Sequence, residues 1–217
     1  AAEPGVAVRL VHPGENLPED ADLILLAGSK STRGDLEDLR QNRWAEDIQA
    51  ACARGAHIMG ICGGYQMLGR SVADPDGIEG APGATEGLGL LNIETTITEE
   101  KRLSPTTGHA VTDGSDITGF EMHMGRTTGM DTASPVIHLS DGHTDGATSH
   151  GGRVSGTYIH GLFASDDFRH GFLKRIDHRH SNTFSWNKSL DEALDRLADH
   201  IQSCLNTKKI IEIARGS

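Results

Sequence analysis

Five residues within the first third of the chain, Gly60-Ile61-Cys62-Gly63-Gly64, restrict its fold more than any other stretch. They close the apolar run His57 to Ile61 and lead directly into Tyr65, Gln66, Met67 and Leu68. A strand must therefore turn sharply into a helix, with a cysteine at the corner. The flanking glycines let the backbone make that turn and leave room for another molecule to approach it. Upstream, Val6 to Val11 and Asp22 to Leu26 read as strands. Ala27 to Thr32 reads as a glycine and hydroxyl turn, and Trp44, Ile48, Ala51 and Cys52 fall on one face of a helix that Gly55 ends. Short strands alternating with helices predict an α/β fold, with a mixed, mainly parallel sheet flanked by helices and the cysteine at a strand–helix elbow.

Beyond the elbow, Ala73 to Gly89 is rich in glycine, proline and acid and reads as a surface loop covering the site. Leu90 to Thr98, Gly108 to Val111, Gly119 to Met124, Val136 to Leu139 and Thr157 to Ile159 read as shorter strands of a mixed or antiparallel section. Leu190, Leu194, Leu197, Ile201 and Leu205 recur at helical spacing, which predicts an amphipathic helix packed on the core, with Cys204 beside the stripe. Lys208 to Ser217 carries no core signal. One domain over residues 1–205 and a tail over 206–217 follow from this pattern.

With 20 basic against 31 acidic residues, the net charge of -11 opposes binding to a phosphate backbone or an anionic bilayer, so neither nucleic acid nor membrane is expected as a partner. The chain reads as a soluble, cytoplasmic protein. Three scattered cysteines, Cys52, Cys62 and Cys204, suit neither a disulfide framework nor a metal site. His178-Arg179-His180 lacks acidic or cysteine co-ligands, so no metal is expected there either.

A thiol reacts as thiolate, and the start of a helix lowers its pKa, so Cys62 is the candidate nucleophile; the N–H of Gly63 is placed to hold an oxyanion. The thiol needs a base. Among twelve histidines, His160 ends the apolar stretch Thr157-Tyr158-Ile159 and precedes Gly161, which puts it at a strand end. His123 alternates with apolar neighbours and is a second residue that can face a cleft.

Four stretches carry a family resemblance: Leu26 to Thr32, Gly60 to Gly69, Gly119 to Thr127 and Gly156 to Phe163. In order and separation they resemble the glutaminase domains of cobyric acid synthases. These belong to the cobyric acid and cobyrinate branch of the class I, or triad, glutamine amidotransferases, whose fold is flavodoxin-like. The likeness spans about residues 5–175. It implies attack by Cys62 on the amide of glutamine, an oxyanion hole completed by the N–H of Gly28, His160 as base and acid, and Gln66 as a residue that holds glutamine. No cofactor is implied in this domain. ATP and Mg2+ would serve a partner synthetase domain that amidates a corrinoid, adenosylcobyrinic acid a,c-diamide, with the released ammonia.

Two positions depart from the wider superfamily. Where many members place a carboxylate two residues after the histidine, this chain has Leu162, so something else must orient His160. Glu121 is a candidate, although a structural pairing with Arg126 explains it equally. The chain also lacks the ATP-binding domain and the family's usual first strand, which predicts a sheet incomplete at one edge. Rival readings are a glutaminase subunit feeding a lipid II amidating ligase, a cysteine peptidase of similar architecture, and a non-catalytic binding module. The last would need a missing nucleophile or base.

Overall fold

A computed structural model describes residues 3–180 and 184–216. In chain order the elements are β1 (Leu23–Leu26), α1 (Thr32–Gln41), α2 (Trp44–Arg54), β2 (His57–Ile61), α3 (Gly63–Met67), β3 (Ser71–Asp74), β4 (Gly83–Glu86), β5 (Ile93–Ala110) and β6 (Asp116–Gly129). There follow β7 (Ile137–Leu139), β8 (Thr144–Asp145), β9 (Ala147–Thr148), β10 (Val154–Thr157), β11 (Ile159–His160), α4 (Asp166–Ile176), α5 (Trp186–Cys204) and α6 (Thr207–Arg215).

Two sheets share the molecule. In the first, ordered β1-β2-β10-β9, the first three strands run parallel and β9 is antiparallel to β10. Successive side chains on β2 point to opposite faces, so Ile58 enters the core formed with α1, α2 and α3 while Met59 enters a second core with Ile159, Phe168 and Phe172. A strand buried on both faces reads as a continuous apolar run, which is how His57 to Ile61 announced itself. The second sheet, ordered β11-β6-β5-β3-β4 with β7 and β8 attached, is built on the long antiparallel β5–β6 ribbon.

Both expectations for the architecture, a mixed α/β fold and a mixed or antiparallel second section, agree with this arrangement. Several elements differ. Val6 to Val11 forms no strand: β1 pairs only with β2, and Val8 and Leu10 stand in solvent without a neighbouring ladder. Alternation supplies strand propensity, whereas backbone hydrogen bonds require an adjacent edge. The stretch Ala73 to Gly89 is partly sheet, since β4 folds back on β3 and only residues 75–82 loop between them. Strands predicted at Leu90 to Thr98 and Gly108 to Val111 merge into β5. Thr157 to Ile159 splits instead, because the chain leaves β2 at Thr157 and joins β6 at Ile159.

The predicted C-terminal helix forms as α5 but does not pack on the core. None of its residues is buried, and Leu190, Leu194, Leu197 and Ile201 are 41–54% exposed. The tail forms a further helix, α6, also without buried residues. No helix among the described residues is long and apolar enough to cross a membrane. Nor do those residues contain a His, Cys, Asp and Glu cluster able to hold a metal ion.

Candidate active site

Cys62 sits at the corner between β2 and α3 with φ 56° and ψ -114°, a left-handed backbone that a side-chain-bearing residue adopts only under constraint. Its neighbours provide that constraint. A Cβ on Gly64 would lie 2.1 Å from the carbonyl oxygen of Leu26, and one on Gly60 would lie 2.4 Å from the carbonyl oxygen of Gly64. Only bare backbone lets α3 lie this close to β1 and β2. The Cys62 N–H donates to the carbonyl of Thr157 (2.9 Å), which ties the corner to β10.

His160 reaches the same place from β11. Its position follows from the switch between sheets at Tyr158, whose N–H donates to the buried carboxylate of Asp145 (3.0 Å) while the Thr157 hydroxyl donates to the same oxygen. Ile159 and His160 then pair with Glu121 and Phe120 of β6. The Cys62 thiol donates to the carbonyl oxygen of Met122 (3.2 Å), and Nε2 of His160 lies 3.2 Å from that same oxygen. Thiol and imidazole are therefore separated by no more than twice that distance. Gly28 lies against both: a Cβ there would stand 3.6 Å from Cβ of Cys62 and 3.6 Å from Cε1 of His160. The structure thus brings together Cys62, His160, Gly28 and Gly63.

Burial pushes the Cys62 thiol above its ordinary value; the N–H of Gly63 opposes that rise, and the negative charge of Glu79 reinforces it. The sequence-based expectation of a lowered pKa is therefore reversed. The helix that starts at Gly63 spans only five residues, and its N-terminal field does not offset the loss of water. The group rests as a thiol, and its activation falls to the imidazole beside it. The Gly63 N–H facing the sulfur is the donor expected for an oxyanion.

Gln66, one turn after Cys62, is buried and fully engaged. Its amide nitrogen donates to the Met124 carbonyl (3.0 Å) and to the Tyr158 hydroxyl (3.2 Å), while its oxygen accepts from the Thr32 hydroxyl (3.0 Å). As placed, it braces the floor of the site. Glu121 lies 2.7 Å from Nε2 of His123 and 3.7 Å from Arg102. The geometry gives its carboxylate to His123, not to His160 or Arg126. The His123 ring stacks on Tyr158 with centroids 3.7 Å apart, so it forms part of the wall next to Gln66.

Sequence reasoning did not single out Phe120, Tyr158, Asp145 or Glu79. The Phe120 ring stacks on that of His160, centroids 5.0 Å apart and 8° from parallel, a contact that holds the plane of the imidazole. Its signal was available in Gly119-Phe120-Glu121, where Phe120 stands directly opposite His160 in the β6–β11 pair. Asp145 ends the two-residue strand β8 and Glu79 lies in the loop between β3 and β4, where nothing local marks either.

The model of the CobB/CobQ-like glutamine amidotransferase domain matches residues 1–168. Cobyric acid synthase of Cereibacter sphaeroides is 47% identical over 98% of this chain and 44% of its own length. The enzyme of that name from Methylorubrum populi is 48% identical over 98% of the chain and 43% of its own length, and one from Rhodobacter capsulatus is 50% identical over 99% and 44%. The chain thus spans less than half the length of these relatives. Among solved structures, PurLQS from Thermotoga maritima superposes with a TM-score of 0.55 at 18% identity, covering 75% of this chain and 83% of that one. A glutamine amidotransferase gives 0.52 at 14% identity, covering 71% and 78%. At those identities the likeness speaks for the fold.

Proposed function

Because this chain belongs to the CobB/CobQ-like glutamine amidotransferase domain family, we propose that Cys62 and His160 hydrolyse glutamine and that the ammonia goes to a synthetase making cobyric acid. The single observation that carries the assignment of residues is the shared Met122 carbonyl, 3.2 Å from the Cys62 sulfur and 3.2 Å from Nε2 of His160. It supports a nucleophile and a base within proton-transfer reach at a strained elbow.

His160 takes the thiol proton as the Cys62 sulfur attacks the carboxamide carbon of glutamine. The N–H groups of Gly63 and Gly28 receive the negative oxygen of the tetrahedral adduct. His160 returns the proton to the departing nitrogen, ammonia leaves, and a γ-glutamyl thioester remains on Cys62. Water, deprotonated by the same imidazole, cleaves the thioester, which releases glutamate and restores the thiol. Gln66 shapes the floor under the bound side chain. A synthetase region using ATP and Mg2+ activates carboxylates of adenosylcobyrinic acid a,c-diamide, and the ammonia converts them to amides, which yields cobyric acid.

The test joins this chain to the ATP-dependent region of one of its relatives and supplies glutamine, ATP, Mg2+ and adenosylcobyrinic acid a,c-diamide. Glutamate and cobyric acid are expected together. Cys62→Ala should remove glutamate release, by at least about a thousandfold in rate, while added ammonium salt restores amidation. Glutamate release surviving that substitution would falsify the assignment of the nucleophile.

A further inference from the structure

The loop between β3 and β4 carries a carboxylate that the chemistry above does not use. Asp74, fully buried, accepts from the N–H groups of Ile78 (2.8 Å) and Glu79 (2.9 Å), and so fixes residues 75–79 in a tight turn. Held there, Glu79 meets the start of α1. Its Oε2 accepts from the Thr32 N–H (2.7 Å), and its Oε1 lies 3.3 Å from the Thr32 hydroxyl, which also reaches Gln66 (3.0 Å). The Gln66 N–H bonds the carbonyl of Cys62 (3.2 Å). From Glu79 to the nucleophile the path is thus Thr32, Gln66 and a single helical turn, and the carboxylate is close enough for its charge to act on the thiol.

Capping α1 explains where Glu79 points but leaves its charge without a counterion. Among the described residues no Lys, Arg or His lies within ion-pair distance of it; the Arg33 guanidinium instead donates to the Thr85 hydroxyl and the Ala81 carbonyl. Asp74 adds a second negative charge nearby, and a half-buried, unpaired carboxylate next to a reactive centre is costly unless something positive arrives. The Thr32 N–H and hydroxyl and the Arg33 N–H occupy three of its roughly four acceptor positions, and one remains for a further donor.

Resting on the glutaminase reading, we propose that Glu79 binds the α-ammonium group of glutamine and so selects α-amino acid amides over other carboxamides. Four bonds separate the carboxamide carbon of glutamine from its α-nitrogen, about 5 Å when extended. With the carbon at the Cys62 sulfur, an ammonium directed along the Thr32–Gln66 path points toward Glu79. Substrate binding then supplies the cation the loop lacks, and docking of the ammonium neutralises a charge that adds to the effect of burial on the thiol.

Labelling of Cys62 in the full chain tests this without a synthetase partner. Two electrophiles are compared by mass spectrometry: 6-diazo-5-oxo-L-norleucine, which carries the glutamine α-ammonium, and iodoacetamide, which has none. Glu79→Gln keeps an oxygen for the Thr32 N–H and should slow the first reaction roughly 10- to 100-fold, the range of a charge-assisted hydrogen bond. Iodoacetamide labelling should hold steady or rise. Equal changes with both reagents would reduce Glu79 to a helix cap and overturn the proposal. A wild-type chain that takes iodoacetamide but not the norleucine reagent overturns the glutaminase reading itself, and this inference with it. Should the variant not fold, protection of wild-type Cys62 from iodoacetamide serves instead. Glutamine is then expected to protect at no more than a tenth of the concentration needed with glutaramate, its counterpart without the α-amino group, and equal protection counts against Glu79.

Discussion

The elbow at Cys62 and the helix α5 are both plain in the amino-acid sequence, yet one is packed to the limit of contact and the other, tied to α4 through the Trp186 N–H and Asp166, buries none of its residues. Around Cys62 every residue of α3 is buried, and the backbone of Gly64 stands against that of Leu26. Along α5 a leucine and isoleucine stripe of equal clarity lies open to solvent, and Cys204 at its end is exposed too. The difference lies in what each pattern specifies. Gly-Ile-Cys-Gly-Gly carries bare backbone at the points of close approach, so the residues that permit the turn stand within the motif itself. A helical stripe states only that one face requires apolar company and leaves the companion unnamed.

If that contrast is sound, substitutions in the two regions should differ widely in cost. Gly64→Ala puts a methyl group into the Leu26 carbonyl, where neither backbone can yield, and should destabilise the domain by about 3 kcal/mol or more in urea unfolding. A loss under about 1 kcal/mol would mean that the elbow relaxes and is not the constraint described. Tyr158→Phe should cost less, about 1–2 kcal/mol, since it strips a partner from Gln66 and Thr127. It also has a pH signature. Burial pushes the Tyr158 phenol up to about 12, against the hydrogen bonds from Thr127 and Gln66. A folded pKa above the unfolded value near 10 means that its share of stability is complete below about pH 10 and is lost as pH rises towards 12. The difference in slope between wild type and variant over that interval, followed by circular dichroism, isolates this residue from Tyr65, which burial also shifts upward. Smallest of all, Leu194→Gln with Leu197→Gln should change the unfolding free energy of the chain by no more than about 0.5 kcal/mol, as exposed positions do. A larger loss would place α5 against the domain after all and remove the contrast.

Legibility followed the same division. Strands β1 and β2, helix α2 with its left-handed Gly55 cap, and the positions of Cys62 and His160 could all be read, because each depends on residues next to it in the chain. α1 was passed over, since Arg33, Gly34 and Asp35 dilute its apolar face and its N-terminus is satisfied by Glu79, some 47 residues away. The crossing at Tyr158 from one sheet to the other depends on Asp145, which ends the two-residue strand β8 outside the Thr157 to Ile159 stretch. Glu121 was a reasonable candidate to orient His160 and sits beside it in register, but side chains alternate across a strand, and its carboxylate meets His123 instead. The lowered thiol pKa failed on helix length, which the motif alone does not disclose.

One ribbon sets the coordinates of three functional groups. β6 offers the Met122 carbonyl to sulfur and imidazole and, two residues on, the Met124 carbonyl to the Gln66 amide. Carbonyls two apart on a strand face the same way, so a shift of β6 by a single residue against β5 would turn both aside together. Alignment of the reactive groups is thus a matter of hairpin registration, and an insertion that slid the ribbon could silence the domain with every one of its chemical side chains still in place.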